Sequence, residues 1–156
     1  MKNASTIVDA NLEAGRTDAP AIITNDNELL TFGDLHRAVC RVAAELQALG
    51  VRREERVLLI LDDTPAFPAA FLGAIRIGAV PVPVNFMYKA SDYVHFLADS
   101  YARLAVVDDA FAEKISGAVA EYGGEVDLVA PADLLADPGH ETFDPVTTHE
   151  DDMAFW

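Results

Sequence analysis

The side chains here whose types could do chemistry include four histidines, one cysteine, Ser100, Ser116 and adjacent acids such as Asp62-Asp63 and Asp108-Asp109. His140 and His149 flank an acidic loop containing Glu141, Asp144, Glu150 and Asp151. Their separation of nine residues is not a usual zinc spacing, and no thiol is near them. His36 falls on the polar side of a helical pattern, and His95 lies mid-helix beside Phe96, so no metal site is expected. Ser100 and Ser116 sit in helical stretches, and the G-x-S-x-G elbow of a nucleophilic serine is absent. Asp62-Asp63 and Asp108-Asp109 each follow a strand, where open α/β sheets place their ligands. Adjacent residues point apart, so the simpler role of each pair is to cap the helix that follows. Cys40 lies in a helical pattern and reads as a small buried hydrophobe rather than a nucleophile. A single cysteine allows no intrachain disulfide, and the whole suits a reducing cytoplasm.

Phosphate chemistry has its own signatures. Neither G-x-G-x-x-G nor G-x-x-x-x-G-K-[ST] occurs, and the glycines fall where helices should stop. The formal net charge is −15 and is unevenly spread. Lys114 is the last base, and ten acids lie beyond it. Repulsion by phosphate makes nucleic acid and anionic membranes poor partners. The acidic third reads as a solvated surface; the alternative is a docking face for a basic partner or for further chain. No run of 18 apolar residues exists, and the first residues lack the apolar core of a secretory signal.

The elements that must position these residues follow from periodicity. Hydrophobic residues make up 51% of the chain, enough for a sizeable core. Ile7, Val8 and Leu12 suggest a short amphipathic turn or helix. "AIITNDNELLTF" reads as two short strands around a turn at Asn25-Asp26-Asn27. In "LTFGDLHRAVCRVAAELQALGV", Thr31 and Asp34 form a capping-box-like start, and Leu35, Val39, Val42 and Leu46 share one helical face. Gly50 then stands at the C′ position.

"VLLIL" (57–61) is a continuous apolar run, as expected of a strand covered on both faces. A helix follows, capped by Asp63 or Thr64, with Pro65 at its first position and Gly78 after its end. Ala69, Ala70, Gly73 and Ala74 would let that helix lie close to a sheet. "AVPVPVN" (79–85) is a second strand. Pro81 and Pro83 are two apart, so both missing N–H groups fall on one side, and the ladder should be good only on the other. A helix capped by Ser91, a strand at 104–108, a helix closed by Gly123-Gly124, a strand at 126–130, a turn of helix at "PADLLA", a loop over 137–150 and a strand at "MAFW" complete the pattern. This alternation implies an α/β fold: a doubly wound, mainly parallel sheet flanked by helices.

The order of these pieces is familiar. "LTFGDLHRAVCRVAAELQALGVRREERVLLILDDTPAFPAAFLGAIRIGAVPVPVN" resembles the N-terminal region of the acyl-adenylate-forming enzymes. Its part "LDDTPAFPAAFLGAIRIGAVPVPVN", followed by "SDYVHFLADSYARLAVVD", most resembles the benzoate/aryl-CoA ligase branch. "RREER" departs from that pattern, which more often has a Pro-Gly-Asp turn there.

The resemblance implies ATP, Mg²⁺ and CoA as cofactors of a longer enzyme. That enzyme would turn an aromatic carboxylate into acyl-AMP and then acyl-CoA. It also implies that the phosphate loop follows a strand similar to "DDMAFW", so that the chain stops just before it. On that expectation no catalytic, cofactor-binding or metal-binding residue can be named here, and the 156 residues alone are inactive. Residues 1–55 would pack on later parts of the longer fold, leaving Leu35, Val39, Val42 and Leu46 short of partners. Residues 57–156 would form an α/β subdomain. The alternatives are a stand-alone α/β interaction module built on the same fold, and a fatty-acyl-CoA ligase or amino-acid-adenylating branch.

Overall fold

The computed structural model describes residues 3–136 and 139–156. It opens with helix α1 (Thr6–Glu13), followed by an antiparallel hairpin of β1 (Pro20–Ile23) and β2 (Leu29–Thr31). The turn between them is Asn25-Asp26-Asn27 as expected, with Asn27 at φ 61°. Of the apolar residues of α1, Val8 is buried and Ile7 faces outward.

Helix α2 (Phe32–Ala48) is closed at both ends by local chemistry. Thr31 Oγ1 accepts from the Asp34 N–H at 3.1 Å, and the Asp34 carboxylate accepts from the Thr31 N–H at 2.9 Å. At the far end Gly50 adopts φ +85°. The N–H groups of Gly50 and Val51 return to the carbonyls of Gln47 and Leu46, which is a Schellman closure.

The rest of the chain winds a parallel sheet from β3 (Arg56–Ile60), β4 (Val80–Pro83), β5 (Leu104–Val107) and β6 (Asp127–Val129), in the order β4-β3-β5-β6. The crossover helices are α3 (Ala66–Arg76), α4 (Ala90–Ser100) and α5 (Ala112–Tyr122), with α6 (Pro131–Leu135) after β6. The connection from β3 to β4 runs one way along the sheet, and the connection from β4 to β5 passes back over β3. Right-handed crossovers then require α3 on one face and α4 and α5 on the other.

The core divides accordingly. Val57, Leu59, Leu104 and Val106 point into a cluster with α2, α3 and α6. Leu58, Ile60, Ala105 and Val107 point into a cluster with α4 and α5. Burial on both faces is why β3 and β5 read as unbroken apolar runs.

Several details differ from the sequence reading. Neither Asp63 nor Thr64 caps α3; Pro65 itself is the N-cap residue, with no side-chain bond. Proline pre-sets its own φ and brings no N–H to satisfy, so the start needs less help. α4 begins one residue before Ser91, with Lys89 as N-cap and the Asp92 carboxylate accepting the Lys89 N–H at 3.0 Å. Gly73 faces another helix, not the sheet: a Cβ there would lie 2.6 Å from Val42 Cγ1. Val39, Val42 and Leu46 are fully buried and Leu35 nearly so, against α1, α3 and α6 of this same chain. These four therefore do not lack partners.

"MAFW" forms no strand. One hydrogen bond, from the Trp156 N–H to the Pro81 carbonyl at 3.1 Å, ties its end to the outer edge of β4. The prolines explain why the contact goes no further. Val80 and Val84 donate to Glu55 and Leu59 on the inner side, whereas the outer side offers carbonyls and no N–H at Pro81 and Pro83. The expected one-sided ladder of β4 is what the fold contains. Residues 139–150 are loop, and Asp137 and Pro138 of the expected loop lie outside the described residues.

Candidate functional site

In a doubly wound sheet the ligand crevice opens where the winding reverses, at the C-terminal ends of the strands. Here that point lies between β3 and β5. A crevice of about 410 Å³ does open there, lined by Asp62, Thr64, Asp108, Asp109, Phe111 and Pro131 among others.

The backbone N–H groups of the loop that follows β3 are already paired. The Asp62 N–H donates to Asp108 Oδ2 at 2.6 Å. The Asp63 N–H donates to Asp62 Oδ1 at 2.8 Å, and the Thr64 N–H to the Asp62 carbonyl at 2.8 Å. Two of the four acids singled out in the sequence are thus brought together, as acceptors of backbone N–H groups. Neither caps a helix by the expected route. No lysine, arginine or histidine is among the residues lining this crevice.

A second hollow, about 460 Å³, lies along the outer edge of β4. Its wall includes Val82, Tyr88, His95, Phe96, Ser100 and Trp156. His95 is exposed there, and Ser100 Oγ is buried without a hydrogen-bond partner. Phe155 packs its ring on Phe71 of α3 at 5.6 Å between centroids, so the apolar end is docked although more than half of Phe155 stays exposed.

The most strongly built polar cluster lies elsewhere, between α1, α2 and α3. Arg76 is 2% exposed and holds both oxygens of Asp9 at 2.8 Å. Its Nε–H donates to the Phe143 carbonyl. His36 Nε2 lies 3.3 Å from Asp9 Oδ1, and Cys40 Sγ lies 3.7 Å from the His36 ring. Asn3 Nδ2 donates to the Ile75 and Val146 carbonyls.

The hydrogen bonds from Arg76 hold the Asp9 carboxyl below the ordinary range, against a smaller opposing effect of burial. Burial pushes the Cys40 thiol up, which keeps it protonated and inert. Sequence reasoning placed His36 on a polar face and passed over Asp9 and Arg76. Their partnership spans 67 residues of sequence, and no local pattern announces it.

The remaining sequence candidates stay apart. His149 donates its backbone N–H to Asp152, Ser116 is exposed on α5, and no group of three or more metal-ligating side chains forms among the described residues.

Comparison with known proteins decides what this scaffold belongs to. A family model described as AMP-binding enzyme matches residues 9–156. The chain belongs to that AMP-binding enzyme family. It is 36% identical over 159 residues to a 4-hydroxybenzoate--CoA/benzoate--CoA ligase of Rhodopseudomonas palustris, covering 96% of this chain and 29% of that protein. It is 36% identical over 165 residues to a benzoate--CoA ligase of Thauera aromatica, covering 98% and 30% respectively. Among solved structures, a benzoate CoA ligase from Burkholderia xenovorans LB400 superposes with a TM-score of 0.88 at 31% identity, over 100% of this chain and 32% of that one.

The chain thus spans about 30% of the length of the curated relatives it matches. Its fold is that of an adenylate-forming enzyme.

Membership raises the question of where a nucleotide would sit. The crevice between β3 and β5 does not fit one. Its loop N–H groups are taken by carboxylates, its lining carries three acids, and no base stands ready for a phosphate.

Proposed function

We propose that these 156 residues are the N-terminal portion of an AMP-forming aryl-CoA ligase. In the longer enzyme an aromatic carboxylate attacks the α-phosphate of ATP, displacing pyrophosphate to give acyl-AMP, and the acyl group then passes to the CoA thiol with loss of AMP. ATP, Mg²⁺ and CoA are its cofactors, and it works in the cytoplasm, with neither nucleic acid nor membrane as a partner. No helix among the described residues is long and apolar enough to cross a membrane.

The observation that carries this reading is the family match over 9–156 joined to 36% identity with a benzoate-activating ligase. The part played by this chain is scaffolding: its sheet and helices support a phosphate loop, nucleotide pocket and acyl pocket contributed by further residues. The division into 1–55 and 57–156 is part of the same proposal, with the first segment also touching parts of the longer fold.

Carboxylate-dependent exchange of pyrophosphate into ATP tests it. The longer protein is expected to catalyse the exchange with benzoate or a hydroxybenzoate, and the isolated 156 residues are expected to show none. Exchange by the isolated chain, or exchange by the longer protein with amino acids alone, overturns it.

A further inference from the structure

We infer that the switch-point crevice between β3 and β5 is sealed against phosphate from within, with the Asp108 carboxylate seated where an incoming anion would bind. A sheet wound in the order β4-β3-β5-β6 has its reversal between β3 and β5, and open α/β sheets bind nucleotides at that place. The crevice is present, and in the loop that leaves β3 two successive N–H groups, those of Asp62 and Asp63, are bound by carboxylates, the anion-binding use that a phosphate loop makes of such groups. What departs from the general pattern is the occupant.

Asp108, the first residue after β5, reaches across the strand gap and takes the Asp62 N–H at 2.6 Å. Asp62 in turn takes the Asp63 N–H at 2.8 Å. An ionised carboxylate bound to a backbone N–H is the same charge-assisted bond a phosphate oxygen would make. Asp108 is itself anchored, because its own N–H donates to the Ile60 carbonyl at 3.1 Å.

Charge completes the seal. Asp62, Asp108 and Asp109 all line the crevice, and none of its lining residues is basic. A phosphate entering would have to displace one carboxylate and sit beside two others, with no cation to offset the repulsion. The crevice that general topology offers to a nucleotide is therefore spent on joining β5 to the β3–α3 loop. Asp108 is a positioning residue for that loop. The nucleotide of the proposed ligase must bind outside this crevice. The inference concerns these loops alone and stands whether or not the longer protein proves to be an aryl-CoA ligase.

Amide NMR of the 156-residue chain tests it with inorganic phosphate as the probe. In the wild type, millimolar phosphate is expected to leave the amide shifts of Asp62, Asp63 and Thr64 unmoved. In Asp108→Ala, hydrogen exchange at the Asp62 amide is expected to rise about tenfold, the loss of one charge-assisted bond. Should that variant fail to fold, Asp108→Asn is read at the same amide. It keeps an acceptor oxygen without the charge, and a rise of about threefold is expected. Saturable phosphate shifts at Asp62 and Asp63 in the wild type, or Asp62 exchange unchanged in whichever variant folds, overturns the inference.

Discussion

Arg76 shows how much one side chain decides at the residue scale. Its guanidinium is buried, and it joins α3 to α1 through Asp9 and to the 143–146 segment through the Phe143 carbonyl. Removing one partner of a buried pair leaves the other charge uncompensated. Asp9 keeps about a quarter of its side chain in water and has His36 beside it, which softens the loss. Arg76→Met is accordingly expected to cost about 3 kcal/mol in urea unfolding, the lower end of the range for broken buried pairs. The same pair sets an acid limb. Arg76 holds the Asp9 carboxyl below its ordinary value of 3.8, so the folded state binds that proton less readily than the unfolded one. The contribution is fully present above 3.8 and is lost as pH falls through the lower folded value. Urea midpoints between about pH 2.5 and 6 should drop toward acid in the wild type. They should drop less steeply in Asp9→Asn. An acid limb of equal steepness in both removes Asp9 from the account.

At the scale of elements, the devices that were legible are the local ones. The Thr31/Asp34 box and the Gly50 closure are local, and their residues stand within a turn of the ends they close. Thr31→Ala is expected to cost about 1 kcal/mol in thermal or chemical unfolding. The strand-versus-edge character of 79–85 was equally readable, because proline removes donors at known positions. What the sequence could not show is which neighbour a small residue serves. Gly73 admits Val42 of α2, not the sheet, since a Cβ would stand 2.6 Å from Val42 Cγ1 and 3.2 Å from the Ala43 backbone nitrogen. Gly73→Ala gains about 1 kcal/mol of helix propensity. It also overpacks a contact that includes rigid backbone, at about 1–3 kcal/mol, and the second effect is expected to win. Val42→Ala opens room for the new methyl, so the double variant should be more stable than the sum of the two single losses predicts. Strict additivity in a double-mutant cycle would place the Gly73 contact elsewhere. The misread caps of α3 and α4 and the unformed strand at "MAFW" share a cause. Each depended on a neighbour: a proline that needs no cap, an Asp92 that reaches back to Lys89, and a strand edge with carbonyls but few donors.

For the whole molecule the question is whether residues 1–55 and 57–156 behave as one folding unit. The sequence suggested that the first would lack partners, because an amphipathic helix announces an apolar face without saying what covers it. The structure supplies the cover within this chain. Val42, Ala43 and Leu46 share a cluster with Ala69, Ala70, Ala74, Leu104, Val106 and Leu134. Val39 and Leu35 close over Val8 of α1. Fully burying a Val or Leu side chain is worth about 1.5–3 kcal/mol, so four such residues on α2 contribute an amount comparable with the stability of an ordinary domain. The helix can therefore not open alone without exposing α3 and the sheet behind it, and α2 should unfold with the core. The β1–β2 hairpin is different. It is a two-stranded ribbon that rests Ala21 and Ile22 on Val8, Leu35 and Val39 but leaves Ile23 and Leu29 exposed, so it is held through one half-buried face and by fewer contacts than the core strands. Native-state hydrogen exchange of the 156 residues separates these fates. Mid-α2 amides are expected within about tenfold of the protection at β3 and β5, with the hairpin amides falling well below both. Should α2 exchange with the hairpin, the packing of α2 on α3 is too weak to bind the two segments together, and the boundary near residue 55 is a true folding boundary.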